Sequence, residues 1–201
     1  CRFSSCFDGR PYGRAATGLQ GDISWAANAG TARAGSAGEK RTALVLDEIA
    51  RTTEATVLHD VRIPIPGMRI NIDHVVIAGD TVLLIDSKLW KPGFLWTVSG
   101  KTYRGFRRFA GPDGKPVAEK RTVLMASEHI GSYVAGLGAT FATPVVVVWP
   151  SRQGPLSLWA ASFPGARLIP GHKLGRVVRR SVPTKKPANP IIVARLRQLV
   201  R

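Results

Sequence analysis

Two aspartates and a lysine stand where a β-hairpin would gather them. Asp73 lies in the run Asn71-Ile72-Asp73-His74-Val75-Val76-Ile77, and Asp86 and Lys88 close the run Thr81-Val82-Leu83-Leu84-Ile85-Asp86-Ser87-Lys88. Between the runs, Ala78-Gly79-Asp80-Thr81 carries a hairpin signal. A two-residue turn at Gly79-Asp80 pairs Ala78 with Thr81 and, in the same register, sets Asp73 directly across from Asp86. Opposed Cβ atoms lie about 4.5–5.5 Å apart, and two carboxylates that close repel unless a cation lies between them. Lys88, two residues past Asp86, emerges on the same face of its strand. Two acids and a lysine on one face suit a divalent metal and an anionic substrate.

Cutting a phosphodiester makes matching demands. The phosphate is already anionic and gains charge in the transition state, and the attacking water must lose a proton. A divalent cation held by carboxylates meets both needs. Magnesium takes oxygen ligands and keeps several waters, so one or two protein carboxylates suffice. Asp73 and Asp86 can supply these, with the Ser87 carbonyl a third oxygen and Lys88 placed to hold the water or phosphate and offset developing charge.

Glu39 is a fourth candidate. It opens the apolar stripe Ala43, Leu46, Ile49 and Ala50 of a helix running to about Arg51, and an acid on that stripe is costly without a partner or a metal. The same residue also reads as the last position of a capping box, Ser36-Ala37-Gly38-Glu39. Likewise Asp73 alone can be a strand-end acid satisfied by backbone donors, and Asp86-Ser87-Lys88 alone a surface ion pair.

The elements that must position these groups follow from pattern. Residues 1–35, rich in Gly, Ala, Ser and Arg, read as a flexible arm with one ordered piece near Ile23-Ser24-Trp25. A strand follows at 55–61, broken by Pro64, Pro66 and Gly67. The hairpin is apolar on both faces, with Val75, Ile77, Val82 and Leu84 on one and Ile72, Val76, Leu83 and Ile85 on the other. Such strands belong at the centre of a sheet covered by helices on each side. A more exposed hairpin spans Phe94 to Phe106 around Ser99-Gly100, and a helix opens at Pro116 and runs to about Ala135. Further strands are expected at Val145–Trp149, Leu156–Ala160 and Arg167–Pro170, and a closing helix at 191–200 capped by Asn189-Pro190. The order predicts an α/β sandwich with a mixed central sheet. The division reads as arm (1–35), core domain (36–170) and basic C-terminal tail with a short helix (171–201).

Composition narrows the partners. The chain has 201 residues, 29 Lys+Arg against 13 Asp+Glu, and a formal charge of +16. That balance favours polyanions, nucleic acid above all, although a heavily Arg- and Ala-coding genome gives a similar bias. The cations are spread along the chain, unlike those of a membrane-surface helix, and no apolar run approaches the ~20 residues of a spanning helix. Cys1 and Cys6 lack a second pair and read as free thiols in a reducing, cytoplasmic setting. Starting on Cys, the chain reads as a fragment or processed product, with additional domains expected outside it.

Together Gly38-Glu39, Val57-Leu58-His59-Asp60-Val61, Ile72-Asp73-His74-Val75-Val76-Ile77 and Val82-Leu83-Leu84-Ile85-Asp86-Ser87-Lys88, continuing through Gly93, resemble the nuclease-related domain, NERD, of the PD-(D/E)xK nuclease superfamily over about residues 36–150. The acid-x-lysine half of that motif falls on Asp86 and Lys88, the preceding acid on Asp73 and the helical glutamate on Glu39. The resemblance implies a restriction-endonuclease-like α/β/α core and magnesium- (or manganese-) dependent cleavage of DNA. Two positions depart from the pattern. Lys115-Pro116-Val117-Ala118-Glu119 stands where that family often has Asn-Pro-x-x-Gln, making Glu119 an additional candidate ligand, and Asp86 replaces the more frequent glutamate.

Beyond this core, Trp90, Trp96, Tyr103 and Phe106 alternate with Lys91, Lys101, Arg104, Arg107 and Arg108. Aromatics among cations suit nucleic-acid contact, and equally an ordinary hairpin with basic outer residues. His74 points away from Asp73 by alternation and reads as a satisfied or packed histidine. Arg179, Arg180, Lys185 and Lys186 read as a solvated tail adding DNA affinity. The sequence thus points to a metal-dependent DNA endonuclease domain. Its rivals are a catalytically weak or inactive nucleic-acid-binding module on the same fold, and a hydrolase of RNA or another phosphate ester.

Overall fold

The computed structural model, which describes residues 11–13, 15, 29–109 and 122–201, answers the doubly apolar hairpin with helices on both faces of one sheet. Strand β1 (Pro11–Tyr12) and the long helix α1 (Ala29–Thr52) come first. Next are β2 (Thr56–Arg62), the hairpin β3 (Asn71–Ala78) and β4 (Thr81–Trp90), then β5 (Gly93–Val98), β6 (Lys101–Arg104) and β7 (Arg107–Arg108). Helix α2 (Thr122–Tyr133) precedes β8 (Thr140–Phe141), β9 (Val145–Pro150), β10 (Leu156–Ala160) and β11 (Arg167–Pro170). A 3-10 turn (Gly171–Lys173) leads into α3 (Leu174–Ser181), and α4 (Pro190–Arg197) closes the chain.

The main sheet has seven strands in the order β1-β2-β3-β4-β9-β11, with β8 also beside β4. Strands β2, β3 and β4 are antiparallel, whereas β4–β9 and β9–β11 are parallel, so the sheet is mixed as expected. One face packs Val76, Leu83, Ile85 and Val147 against Leu46, Ile49 and Ala50 of α1 and Leu174, Val177 and Val178 of α3. The other packs Val75, Ile77, Val82, Leu84 and Val146 against Val123, Ala126 and Ile130 of α2 and Ile192, Val193 and Leu196 of α4. The α/β/α layering read from the sequence is therefore the fold. A second, four-stranded sheet, β10-β5-β6-β7, grows from the ends of β4 and β9, joined to them by Trp90, Leu95, Val148 and Leu158.

The turns obey their residues. Gly79 takes a positive φ of 53°, as the first central position of a type II′ turn requires, while Ser99 and Gly100 both lie at positive φ (47° and 72°), as in type I′. Asn189 Oδ1 accepts from the N–H groups of Ile191 and Ile192 at 2.9 and 3.5 Å, the cap read from Asn189-Pro190.

Three expectations change. Helix α1 begins at Ala29, so Ser36 is internal to it and the proposed capping box does not exist. The Ala- and Arg-rich stretch before Ser36 simply continues the helix, placing Glu39 nearly three turns inside. Of the arm expected over residues 1–35, the Ile23-Ser24-Trp25 piece lies outside the described residues, as does the helix start at Pro116. Residues 171–201 are not a tail apart from the core, although Arg179, Arg180, Lys185 and Lys186 are exposed as expected. Arg179 and Arg180 ride on α3, whose Leu174, Val177 and Val178 are buried, and α4 is part of the core. Ile72, third, joins the core of Val75 and Ile77 instead of that of Val76. Among the described residues no helix is long and apolar enough to cross a membrane.

Because Leu196 is fully buried among sheet residues, Leu196→Ala is expected to destabilise the whole domain by about 2–5 kcal/mol in denaturant unfolding. An unchanged midpoint would show that the C-terminal helix is dispensable to the core.

Candidate active site

The β3–β4 ladder runs from Ala78–Thr81 to His74–Ile85, the register read from the sequence, and stops one step short of Asp73 and Asp86. On its other side Asp73 is skipped as well: β2 pairs His59 with His74 and then Val61 with Ile72. The cause lies in Asp60, which turns to a positive φ of 53° between those pairs. That conformation is uncommon outside glycine and concentrates at functional positions. Asn71 Nδ2 donates to the Asp60 carboxylate beside it. Past this break the side-chain alternation slips, which is why Val61 and Ile72 pack with Leu58 and Val75.

The slip puts Asp73 to use. Where a continued ladder would give the Ser87 N–H a carbonyl of β3, it donates instead to Asp73 Oδ2 at 2.6 Å. In an extended strand the carbonyl points the same way as the N–H, so the Ser87 oxygen also faces the gap that opens between the strands. Asp86 lies beside it with its side chain only 4% exposed. Lys88 Nζ sits 2.9 Å from Asp86 Oδ2 and 3.1 Å from Oδ1, and only the second contact has hydrogen-bond geometry. Oδ2 is thus a buried acceptor served by charge alone.

Burial pushes the Asp73 carboxyl well above its ordinary value, and the charges of Asp86 and then Glu39 push it further; Lys88 and the Ser87 N–H pull the other way. Glu39, Asp73, Asp86 and Lys88 are therefore close enough to feel one another, and the sequence candidates form one electrostatic group. Among the described residues, however, no three His, Cys, Asp or Glu side chains converge as a ready-made metal cage. The donor set is the sparser one that a hard, water-keeping cation such as magnesium accepts, and the buried, undirected Asp86 Oδ2 fits it.

Helix α1 is fastened to these strands by a hydroxyl that sequence reading missed. Thr42 Oγ1 donates to the Gly38 carbonyl at 3.2 Å and accepts from Ser87 Oγ at 2.8 Å and Trp149 Nε1 at 2.9 Å. One donor and two lone pairs are all used. Trp149 can reach in because Gly171 has no side chain: a Cβ there would lie 2.3 Å from the indole. Gly38 brings the helix backbone against Lys88 and Leu89, the nearest atoms to a Cβ placed on it lying at 3.5–3.6 Å. Ser87 thus offers only its main chain to the gap. The only advance signal for Thr42 was its place one turn after Gly38 on the buried side of α1.

The histidines form a separate chain. His59 Nε2 lies 2.8 Å from Asp47 Oδ1 of α1, and His59 Nδ1 lies 2.8 Å from His74 Nδ1. Burial, then the neighbouring His59, lowers the His74 pKa well below its usual value, so His74 stays neutral. His74 is packed, as one expected alternative had it, but its Nε2 is buried without a hydrogen-bond partner among the described residues. Lys91, Lys101, Arg104, Arg107 and Arg108 lie on the second sheet and its lead-in, not on the strands that carry the carboxylates. Glu119 lies outside the described residues.

A family model described as a nuclease-related domain, NERD, matches residues 34–148, more than half of the chain. No curated protein and no solved structure matches.

Two outcomes follow from this geometry. A folded carboxyl with a raised pKa holds a proton that the unfolded chain releases, so its stabilising contribution is complete below the ordinary value of 3.8 and is lost as pH rises through the folded value. In metal-free buffer Asp73→Asn should therefore raise the melting temperature near pH 7, by roughly 2–4 °C per kcal/mol of relieved burial cost and repulsion, and flatten its fall with pH. A lower melting temperature than wild type at pH 8 would contradict that cost. Thr42→Val strands Ser87 Oγ and Trp149 Nε1 and should cost about 1–3 kcal/mol, whereas Thr42→Ser should recover most of it; equal loss in both would mean the methyl group, not the hydroxyl, matters.

Proposed function

Because the chain belongs to the nuclease-related domain family, we propose that it is a metal-dependent endonuclease domain that hydrolyses phosphodiester bonds in DNA. The observation that carries this reading is the meeting of Asp73 and Asp86 where their strands part, with Lys88 against Asp86 and the charge of Glu39 acting on Asp73. Asp73, Asp86 and the Ser87 carbonyl would hold a magnesium or manganese ion, whose chemistry when bound is to polarise the phosphate and acidify water.

The chain's own groups complete the account. The Ser87 N–H fixes one Asp73 oxygen and leaves the other to bind. Lys88 pairs with Asp86, and its ammonium would be placed to hold the attacking water or to meet charge developing on phosphate. Glu39, deep in α1 and no longer explained as a cap, would help hold the ion or accept a proton from the attacking water. The basic chain gathers the polyanion, and Lys91, Lys101, Arg104, Arg107 and Arg108 would contact its phosphates.

Calorimetry with Mg²⁺ or Mn²⁺ and plasmid cutting test the assignment. Asp86→Ala should lose ion binding by at least tenfold and lose cutting, while Lys88→Ala should keep ion binding and slow cutting by about 10²–10³-fold. Equal ion binding by wild type and Asp86→Ala would remove the site. A gel shift with no cutting by wild type would assign the chain to nucleic-acid binding without catalysis.

A further inference from the structure

The second sheet turns an aromatic surface away from the main one. Leu95 and Leu158 face inward onto Trp90 and Val148, so by alternation Phe94, Trp96 and Val98 of β5 face out. Tyr103 stands across from Trp96, Lys101 across from Val98, and Arg108 across from Tyr103. The Trp96 and Tyr103 rings stack at 4.6 Å and 18°, and Trp96 Nε1 spends its proton on the Gly105 carbonyl at 2.8 Å.

Beside them Phe94 and Trp159 meet at 5.7 Å and 45°, yet remain 40% and 84% exposed. Trp159 owes its position to a bulge: β10 spends one extra residue between Ser157, opposite Phe94, and Ala160, opposite Trp96. Bulges re-aim side chains in this way. At the β6–β7 turn Gly105, at a φ of 56°, reverses the chain so that Phe106 is fully exposed between Arg104 and the pair Arg107-Arg108.

Exposed apolar clusters mark interaction sites, and charge decides the partner. Strands β5, β6, β7 and β10 carry Lys101, Arg104, Arg107 and Arg108 and not one Asp or Glu. A ligand with anionic groups at intervals and flat π faces between them is complementary to this surface. Bases within a duplex are stacked on one another, whereas single-stranded bases are free to stack on side chains. We propose that the outer face of the second sheet binds single-stranded nucleic acid without sequence preference, its bases stacking on Phe94, Trp159 and Phe106 and its phosphates on Lys101 and Arg108. Only Lys91 and Pro92 separate β5 from the end of β4; resting on the nuclease reading in this respect alone, the surface would hold an unpaired strand of the substrate beside the carboxylates.

Fluorescence anisotropy in EDTA, with labelled oligothymidylate, oligouridylate and a blunt DNA duplex of equal length, tests binding apart from cutting. Both single strands should bind more tightly than the duplex. Trp159→Ala and Phe106→Ala should each weaken single-strand binding about fivefold or more, with duplex binding and melting temperature unchanged, and Trp159→Phe should restore it. Replacing Lys101 and Arg108 with Ala should lower the salt slope by about 0.7 for each charge removed. Single-strand binding indifferent to Trp159→Ala, an equal loss on the duplex, or self-association that Trp159→Ala abolishes while oligonucleotide binding stays the same would each overturn the proposal. Asp86→Ala separates the two readings, since it should abolish cutting and leave oligonucleotide binding in EDTA intact.

Discussion

A hairpin zipped to its end would have no place for Asp73. The whole arrangement depends on the sheet letting go at one residue: Asp60 bends β2, both ladders omit Asp73, and the Ser87 N–H takes the carboxylate in place of a β3 carbonyl. Strand separation and acid placement are thus a single event. If β3 stayed in register, the Ser87 main chain would be consumed by the ladder and no acceptors would converge there. Broken one residue earlier, the sheet would lose the pair His74–Ile85 from its centre. Local backbone strain at Asp60 is offset by burial of Leu58 and Val61 on either side of it.

The helix makes that opening rigid. Because α1 lies against the β4 backbone at Gly38 and Thr42 ties it to both Ser87 and Trp149, the stretch Asp86-Ser87-Lys88 is held from the helix side and the β9 side at once. Side chains set on strands buried at this depth move little. A site held in this way can keep like charges close that a looser segment would let drift apart, and the Asp73 pKa, raised first by burial and then by the charges of Asp86 and Glu39, reflects both.

What the sequence made legible follows from which forces are local. The hairpin register came out right because Gly79 fixes the turn and a one-residue slip would turn every apolar side chain of Val75 to Leu84 to the wrong face. The Asn189 cap and the α/β/α layers were legible for similar reasons: short-range chemistry in one case, two-sided apolar patterning in the other. The capping box misled because Ser36 and Glu39 have the right spacing but the preceding alanines keep the helix going, something a four-residue motif does not contain. Helix α3 was hidden by its arginines, since three apolar residues among them suffice to bury one side. The Asp60 bend, the Thr42 hub and the Trp159 bulge were illegible in principle: each depends on neighbours more than fifteen residues away or on a backbone angle that no residue type announces.

The electrostatics of the chain run in two directions. Over its length the protein is strongly cationic, at +16, while its buried centre gathers Glu39, Asp73 and Asp86 around one lysine. A phosphate drawn in by the surface would meet repulsion at that centre. On the proposed reading, a small divalent ion resolves the conflict, because it is the one species attracted by the acids that also attracts phosphate. On that reading Lys88, which pairs with Asp86, would be the cation of the chain nearest a phosphate at this centre. The basic second sheet, without acids, needs no such intermediary. On the proposed reading, a chain divided this way would separate holding the nucleic acid from acting on it, with β4 running from one task into the other.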